Sequence, residues 1–130
     1  MLSRIIRSLI IVLVIVVLGG CNQSSQNAST AAEVTLGSGL PMLVDLGADK
    51  CVPCKQMKPI LDNLTEEYAG RMDVIFIDVW ENRDQAARFN VRMIPTQIFY
   101  DKDGKELYRR VGFIGKEDIL ATWKELGYTF

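Results

Sequence analysis

Apolar positions along the chain follow three patterns. The first is an unbroken run of ten, residues 9–18 (LIIVLVIVVL), behind Arg4 and Arg7. The second is a set of short, nearly continuous runs typical of buried strands: 41–46 (PMLVDL), 74–79 (VIFIDV) and 96–100 (TQIFY). The 74–79 run predicts a strand covered on both faces. After Asp101-Lys102-Asp103-Gly104, a turn signal, residues 105–111 pair back as a fourth strand. The third pattern is helical. Met57, Ile60, Leu61, Leu64 and Tyr68 recur at helix spacing, with Pro53 in the first turn and Gly70 as the stop. Asn82 with Gln85 three residues on marks a second helix start, with Ala86, Ala87 and Phe89 as its apolar face. Ile119, Leu120, Trp123 and Leu126 predict a closing amphipathic helix. The order is β-α-β-α-β-β-α. A parallel start followed by a hairpin predicts an α/β domain with a central mixed sheet of about four strands and helices on both faces.

The first 33 residues do not fit that domain. The run at 9–18 is about half the length of a membrane-spanning helix and matches the core of a signal peptide. Leu18-Gly19-Gly20-Cys21 follows. This resembles the bacterial lipobox, which implies cleavage before Cys21 and a diacylglycerol on its thiol. The plainer alternative is an uncleaved signal anchor with an incidental Cys21. Lipid chains would anchor the protein with about 0.8 kcal/mol per buried CH₂. Residues 22–32 (NQSSQNASTAA) are small and polar, the composition of a tether. The expected organisation is therefore a signal peptide over 1–20, a lipidated cysteine and tether over 21–33, and one domain over 34–130.

Composition narrows the chemistry. At 130 residues there is room for one ordinary domain, and 48% hydrophobic with 24% charged residues is globular usage. A net charge of −1, with no Lys/Arg cluster, gives no reason to bind nucleic acid. The absence of histidine removes Cys-His and Ser-His pairs and most metal sites. Of three cysteines, Cys21 stands apart and Cys51 and Cys54 form a CxxC.

Cys51-Val52-Pro53-Cys54 lies at a strand-to-helix junction, where two intervening residues let both sulfurs meet on one turn. The positive end of the helix, with Lys50 and Lys55 nearby, favours a thiolate at Cys51. That makes Cys51 the exposed nucleophile and Cys54 the shielded resolving thiol. Two alternatives stand beside this: half a zinc site, although no second CxxC exists, and a purely structural disulfide that closes little chain entropy. No metal is expected.

At this point residues 40–127 resemble the thioredoxin family. Asp45 stands six positions before Cys51, Pro59 five after Cys54, and Ile94-Pro95-Thr96 matches the cis-proline motif. Gly112 matches the late glycine. The resemblance implies a three-layer sandwich whose N-terminal strand and helix are reduced, since residues 33–40 leave room only for a short strand. It implies attack by Cys51 on a disulfide, resolution by Cys54, and a buried Asp45 that accepts the Cys54 proton. Without it, Asp45 reads as a strand-end cap and Pro95 as an ordinary trans turn proline. The implied substrate contacts are Lys50, Val52, Pro53, Ile94, Pro95 and Gly112. No cofactor beyond the Cys51–Cys54 couple is implied, and a monomer is the family default.

Three positions depart from the family pattern. Lys50 replaces a tryptophan, Gly47 an aromatic residue, and Val74 aligns with a lysine that neighbours the buried aspartate. The first two predict a less apolar, more basic substrate face. Trp80 and Trp123 are read as core or rim residues, there for packing rather than as part of the site. The expected function is a lipid-anchored thiol-disulfide oxidoreductase of the bacterial cell envelope, outside the cytoplasm. Pro53 favours a reductase, supplied by a membrane thiol electron donor and acting on envelope proteins that carry disulfides or thiols. The alternatives are an oxidase or isomerase, and a copper metallochaperone with Met57 as an extra ligand.

Overall fold

A computed structural model describes residues 34–130. The signal peptide, Cys21 and the tether lie outside the described residues. The described elements are β1 (Met42–Gly47), α1 (Val52–Glu67), β2 (Asp73–Asp78), α2 (Arg83–Arg88), β3 (Thr96–Tyr100), β4 (Glu106–Val111) and α3 (Lys116–Glu125). The sheet order among them is β2-β1-β3-β4. β1 runs parallel to β2 and antiparallel to β3, and β3 and β4 form the antiparallel hairpin. This is the predicted mixed sheet, with all seven elements in the predicted order.

Alternation along the central strands builds two cores. Leu43 and Phe99 join Met57, Leu61 and Leu64 of α1 and Ile119 and Trp123 of α3 on one face. Met42, Val44, Leu46, Ile98 and Tyr100 join Phe89, at the end of α2, on the other. Trp123 is fully buried against Phe99, Tyr128 and Phe130, with ring centroids 5.0, 5.2 and 5.7 Å away. Edge-to-face aromatic contacts of this kind add about 0.5–1.5 kcal/mol each beyond area burial.

The elements differ from expectation in four places. β2 is the edge of the described sheet and is only partly covered: Val74 packs against one core and Ile75 and Ile77 against the other, but Ile77 is its one buried residue and Phe76 is exposed. An apolar run alone does not distinguish a central strand from an edge. In α2, Gln85 is buried and Ala87 exposed, so the apolar face is rotated from the predicted one. Asn82 opens α2 without a side-chain cap; its amide donates to the Asp78 carbonyl instead. Residues 34–40 form no strand. They lie against the β3–β4 turn, with Gly39 N–H bonded to Lys102 O and the Arg88 guanidinium donating to Val34 O.

Helix α1 carries the expected punctuation. Cys51 caps it in an extended conformation, and Pro53 occupies the first turn, where no amide partner is needed. Pro59 within the helix removes one backbone hydrogen bond to the preceding turn. After the C-cap at Tyr68, Gly70 turns the chain at φ 74°.

Candidate active site

The carboxyl end of β1, the amino end of β3 and the carboxyl end of β4 meet at one end of the sheet, because β3 is antiparallel to both neighbours. The CxxC follows β1, Ile94-Pro95 precedes β3, and Gly112 follows β4, so topology gathers all three there. Cys51 and Cys54 form a disulfide with Cα atoms 5.2 Å apart. The Cys54 amide points at Cys51 Sγ at 3.4 Å, an unpaired helix N–H directed at sulfur. Cys51 is half-buried, whereas Cys54 is only 2% exposed. Ile94–Pro95 is a cis peptide bond, and the Gly112 amide donates to Pro95 O at 2.8 Å with φ 98° at Gly112. Lys50, Val52 and Pro53 are exposed, Ile94 is half-buried, and Pro95 is buried.

Asp45 is fully buried on the α1/α3 face of β1. Burial pushes its carboxyl up to about 6, against the opposing effect of a hydrogen bond from Gln97. Gln97 is the Cα partner of Asp45 on β3 and its Nε2 donates to Oδ1 at 2.6 Å.

The neighbour of Asp45 on β2 is Phe76; Val74 pairs with Leu43 instead. The expectation for Val74 was therefore two residues out of register. No cation stands opposite Asp45 on β2. A Cβ placed on Gly47 would lie 2.8 Å from a Phe76 ring carbon and 3.1 Å from Cys54 Cβ. Phe76 thus occupies space that a side chain at position 47 would need. The aromatic missing from β1 is supplied from β2.

Asp78, at the end of β2, anchors the loop leading to the cysteines. Its carboxylate accepts from the amides of Asp49 (2.8 Å), Trp80 (2.8 Å) and Glu81 (3.1 Å). Burial acts to raise its pKa, but these amides outweigh it and hold the carboxyl below its ordinary value. A strand-end aspartate carries no sequence signal for this role, because its partners come from two different loops.

The surrounding surface is not short of apolar groups. Val52, Trp80, Met93, Val111 and Phe113 are all exposed large apolar residues at this end of the sheet. Trp80 is 53% exposed and, with Lys50, Asp49, Asp78 and Glu81, lines a shallow cleft beside the CxxC. Trp123 is core; Trp80 is a surface residue of the rim. Met57 is fully buried and its sulfur accepts from the Ile114 amide at 3.5 Å, so it is committed to the core rather than to a metal.

The thioredoxin family profile matches residues 24–125. The chain belongs to the thioredoxin family. Over 86 residues it is 36% identical to thioredoxin C-2 of Corynebacterium nephridii, covering 66% of this chain and 79% of that protein. Over 77 residues it is 44% identical to thioredoxin of Staphylococcus haemolyticus, covering 59% and 73%. A solved structure of a malarial protein superposes with TM-score 0.61 at 26% identity, covering 66% of this chain and 96% of its own. With its adjacent cysteines joined across the helix start, this thioredoxin-family protein is a thiol-disulfide oxidoreductase.

Proposed function

We propose that this oxidoreductase is a reductase of the bacterial cell envelope, held to the membrane by lipid on Cys21. The observation that carries the chemistry is the unequal exposure of the two sulfurs at one helix N-terminus. In the reduced protein, Cys51 thiolate is favoured by the helix end and reaches a substrate disulfide. It attacks one substrate sulfur; the other leaves with the electron pair as thiolate. Asp45 takes the Cys54 proton, and Cys54 sulfur displaces the substrate from Cys51. The substrate departs with two reduced sulfurs and the Cys51–Cys54 disulfide remains. Lys50, Val52, Pro53, Ile94, Pro95 and Gly112 surround the path of an extended substrate. A membrane thiol carrier returns the two electrons. The anchor reading rests on Leu18-Gly19-Gly20-Cys21 alone.

Two measurements test this. The Cys51–Cys54 couple of the full chain in detergent, titrated against glutathione or dithiothreitol, is expected near −270 mV, roughly the thioredoxin range. A value at or above about −180 mV would replace the reductase by an oxidase or isomerase. In bacterial cells, an alkyne-tagged fatty acid is expected to label the wild-type protein and not Cys21→Ser. Equal labelling of both, or of neither, removes the anchor.

A further inference from the structure

Gln97 is an unusual side chain for its place. It is the second residue of a five-residue strand buried throughout, and it is itself fully buried. Burying an amide is costly unless its polar atoms are paired. Its one hydrogen bond runs to Asp45 Oδ1, and its own Oε1 has no partner. Asp45 Oδ2 has none either. On the other side of Asp45, β2 presents Phe76, which offers no hydrogen bond and no charge. Gln97 is thus the one hydrogen-bonding side chain that Asp45 has among the described residues.

An amide N–H on one carboxylate oxygen leaves only the second oxygen open to a proton. We infer that Gln97 is a positioning residue for the resolving step: its Nε2–H holds Asp45 Oδ1 so that Oδ2 receives the Cys54 proton. The protonated Oδ2 then has an acceptor available in Gln97 Oε1, the other unpartnered atom of the pair. One proton thereby satisfies both orphaned oxygens, as in a cyclic acid–amide pair. The balance is complete. The S–H bond of Cys54 breaks as its sulfur bonds to Cys51, the Cys51–substrate bond breaks, and the substrate thiolate carries off the electron pair. Above the midpoint of Asp45 the proton then passes to solvent, and Cys54 takes one up again when the couple is next reduced. This inference rests on the proposed role of Asp45, and it adds the group that orients that carboxyl where no cation does so.

The test is the pH dependence of mixed-disulfide resolution, read in single turnovers with a fluorogenic peptide disulfide. Gln97→Met keeps length and removes both polar atoms. Without Gln97 the carboxylate loses a charge-assisted hydrogen bond and the protonated acid only a weaker neutral one, so the midpoint is expected to rise, by about one pH unit. The resolving rate then falls about fivefold at pH 6 and about twofold at pH 7, with the first attack by Cys51 unchanged. In the Asp45→Asn background, Gln97→Met is expected to shift nothing further, since the titrating group is gone. The inference is overturned if folded Gln97→Met keeps the wild-type midpoint, or if the same loss persists in the Asp45→Asn background. Should Asp45→Asn itself leave the profile unchanged, the role of Asp45 falls, and this one with it. The wild-type protein supplies a check that needs no variant. The Gln97 side-chain amide resonances are expected to move in ¹⁵N NMR with the midpoint of the Asp45 carboxyl, and resonances that stay fixed through that titration count against the pair.

Discussion

Replacing Cys54 by serine is expected to convert the protein into a covalent trap, while replacing Cys51 by serine is expected to silence it. Exposure sets the two sulfurs apart. Cys54 is 2% exposed and lies against Gly47, so a substrate sulfur reaches Cys51 first. Cys51 also caps α1, where unpaired amides and the helix dipole stabilise negative charge on sulfur. Without Cys54 the first attack proceeds and the mixed disulfide has no intramolecular resolving thiol. It accumulates, and non-reducing mass spectrometry of the reaction finds protein plus substrate as one species. Without Cys51, the remaining thiol is shielded and turnover falls by at least about a thousandfold, the scale at which removal of a catalytic nucleophile acts. Wild-type turnover in Cys51→Ser, or adduct in Cys51→Ser rather than Cys54→Ser, would reverse the assignment.

The architecture was legible because its signals are local. Runs such as 96–100 and the helical stripe of Met57, Leu61 and Leu64 report burial directly, and Asp101 to Gly104 spell out a turn. The cysteines and Ile94-Pro95 were found by motif, and topology brings them to one end of the sheet. What was not legible depends on register. Whether Val74 or Phe76 faces Asp45 is decided by the pairing of β1 with β2, and a slip of two residues keeps the same face while changing the neighbour. Gln97 is one polar position within an apolar strand, and its meaning appears only when β3 is laid beside β1. Asp78 likewise acquires its role from amides of loops separate in sequence. The missing aromatic at position 47 suggested a depleted surface. Phe76 and Trp80 show that a packing need can be met from a neighbouring strand or loop, which a position-by-position reading does not register.

Asp45→Asn is expected to make the protein more stable and a poorer enzyme, both for the same reason. In the folded protein the Asp45 carboxyl is pushed up to about 6 from an ordinary 3.8, chiefly by burial. Below 3.8 it is protonated in both the folded and unfolded states and costs nothing. Between 3.8 and 6 the unfolded chain releases its proton while the folded protein keeps it, so folding loses stability as pH rises. Above 6 the folded carboxylate is charged and carries the whole penalty, about 3 kcal/mol. Asparagine is neutral throughout and keeps an oxygen for the Gln97 donor, so its gain follows that curve. Urea unfolding of the oxidised protein is expected to find Asp45→Asn more stable by about 3 kcal/mol at pH 7.5 and by well under about 1 kcal/mol at pH 4. A gain that is equal at both pH values would place its origin in packing, and a loss at pH 7.5 would mean that the charge is not penalised at all. The same substitution removes the proton acceptor, and general-base catalysis is worth about 10²–10⁴-fold. Resolution by Cys54 should therefore slow by at least the lower figure, with attack by Cys51 untouched. A residue kept at a cost of several kilocalories has to act through its charge, and the step that needs a base at this end of the sheet is the release of the Cys54 proton.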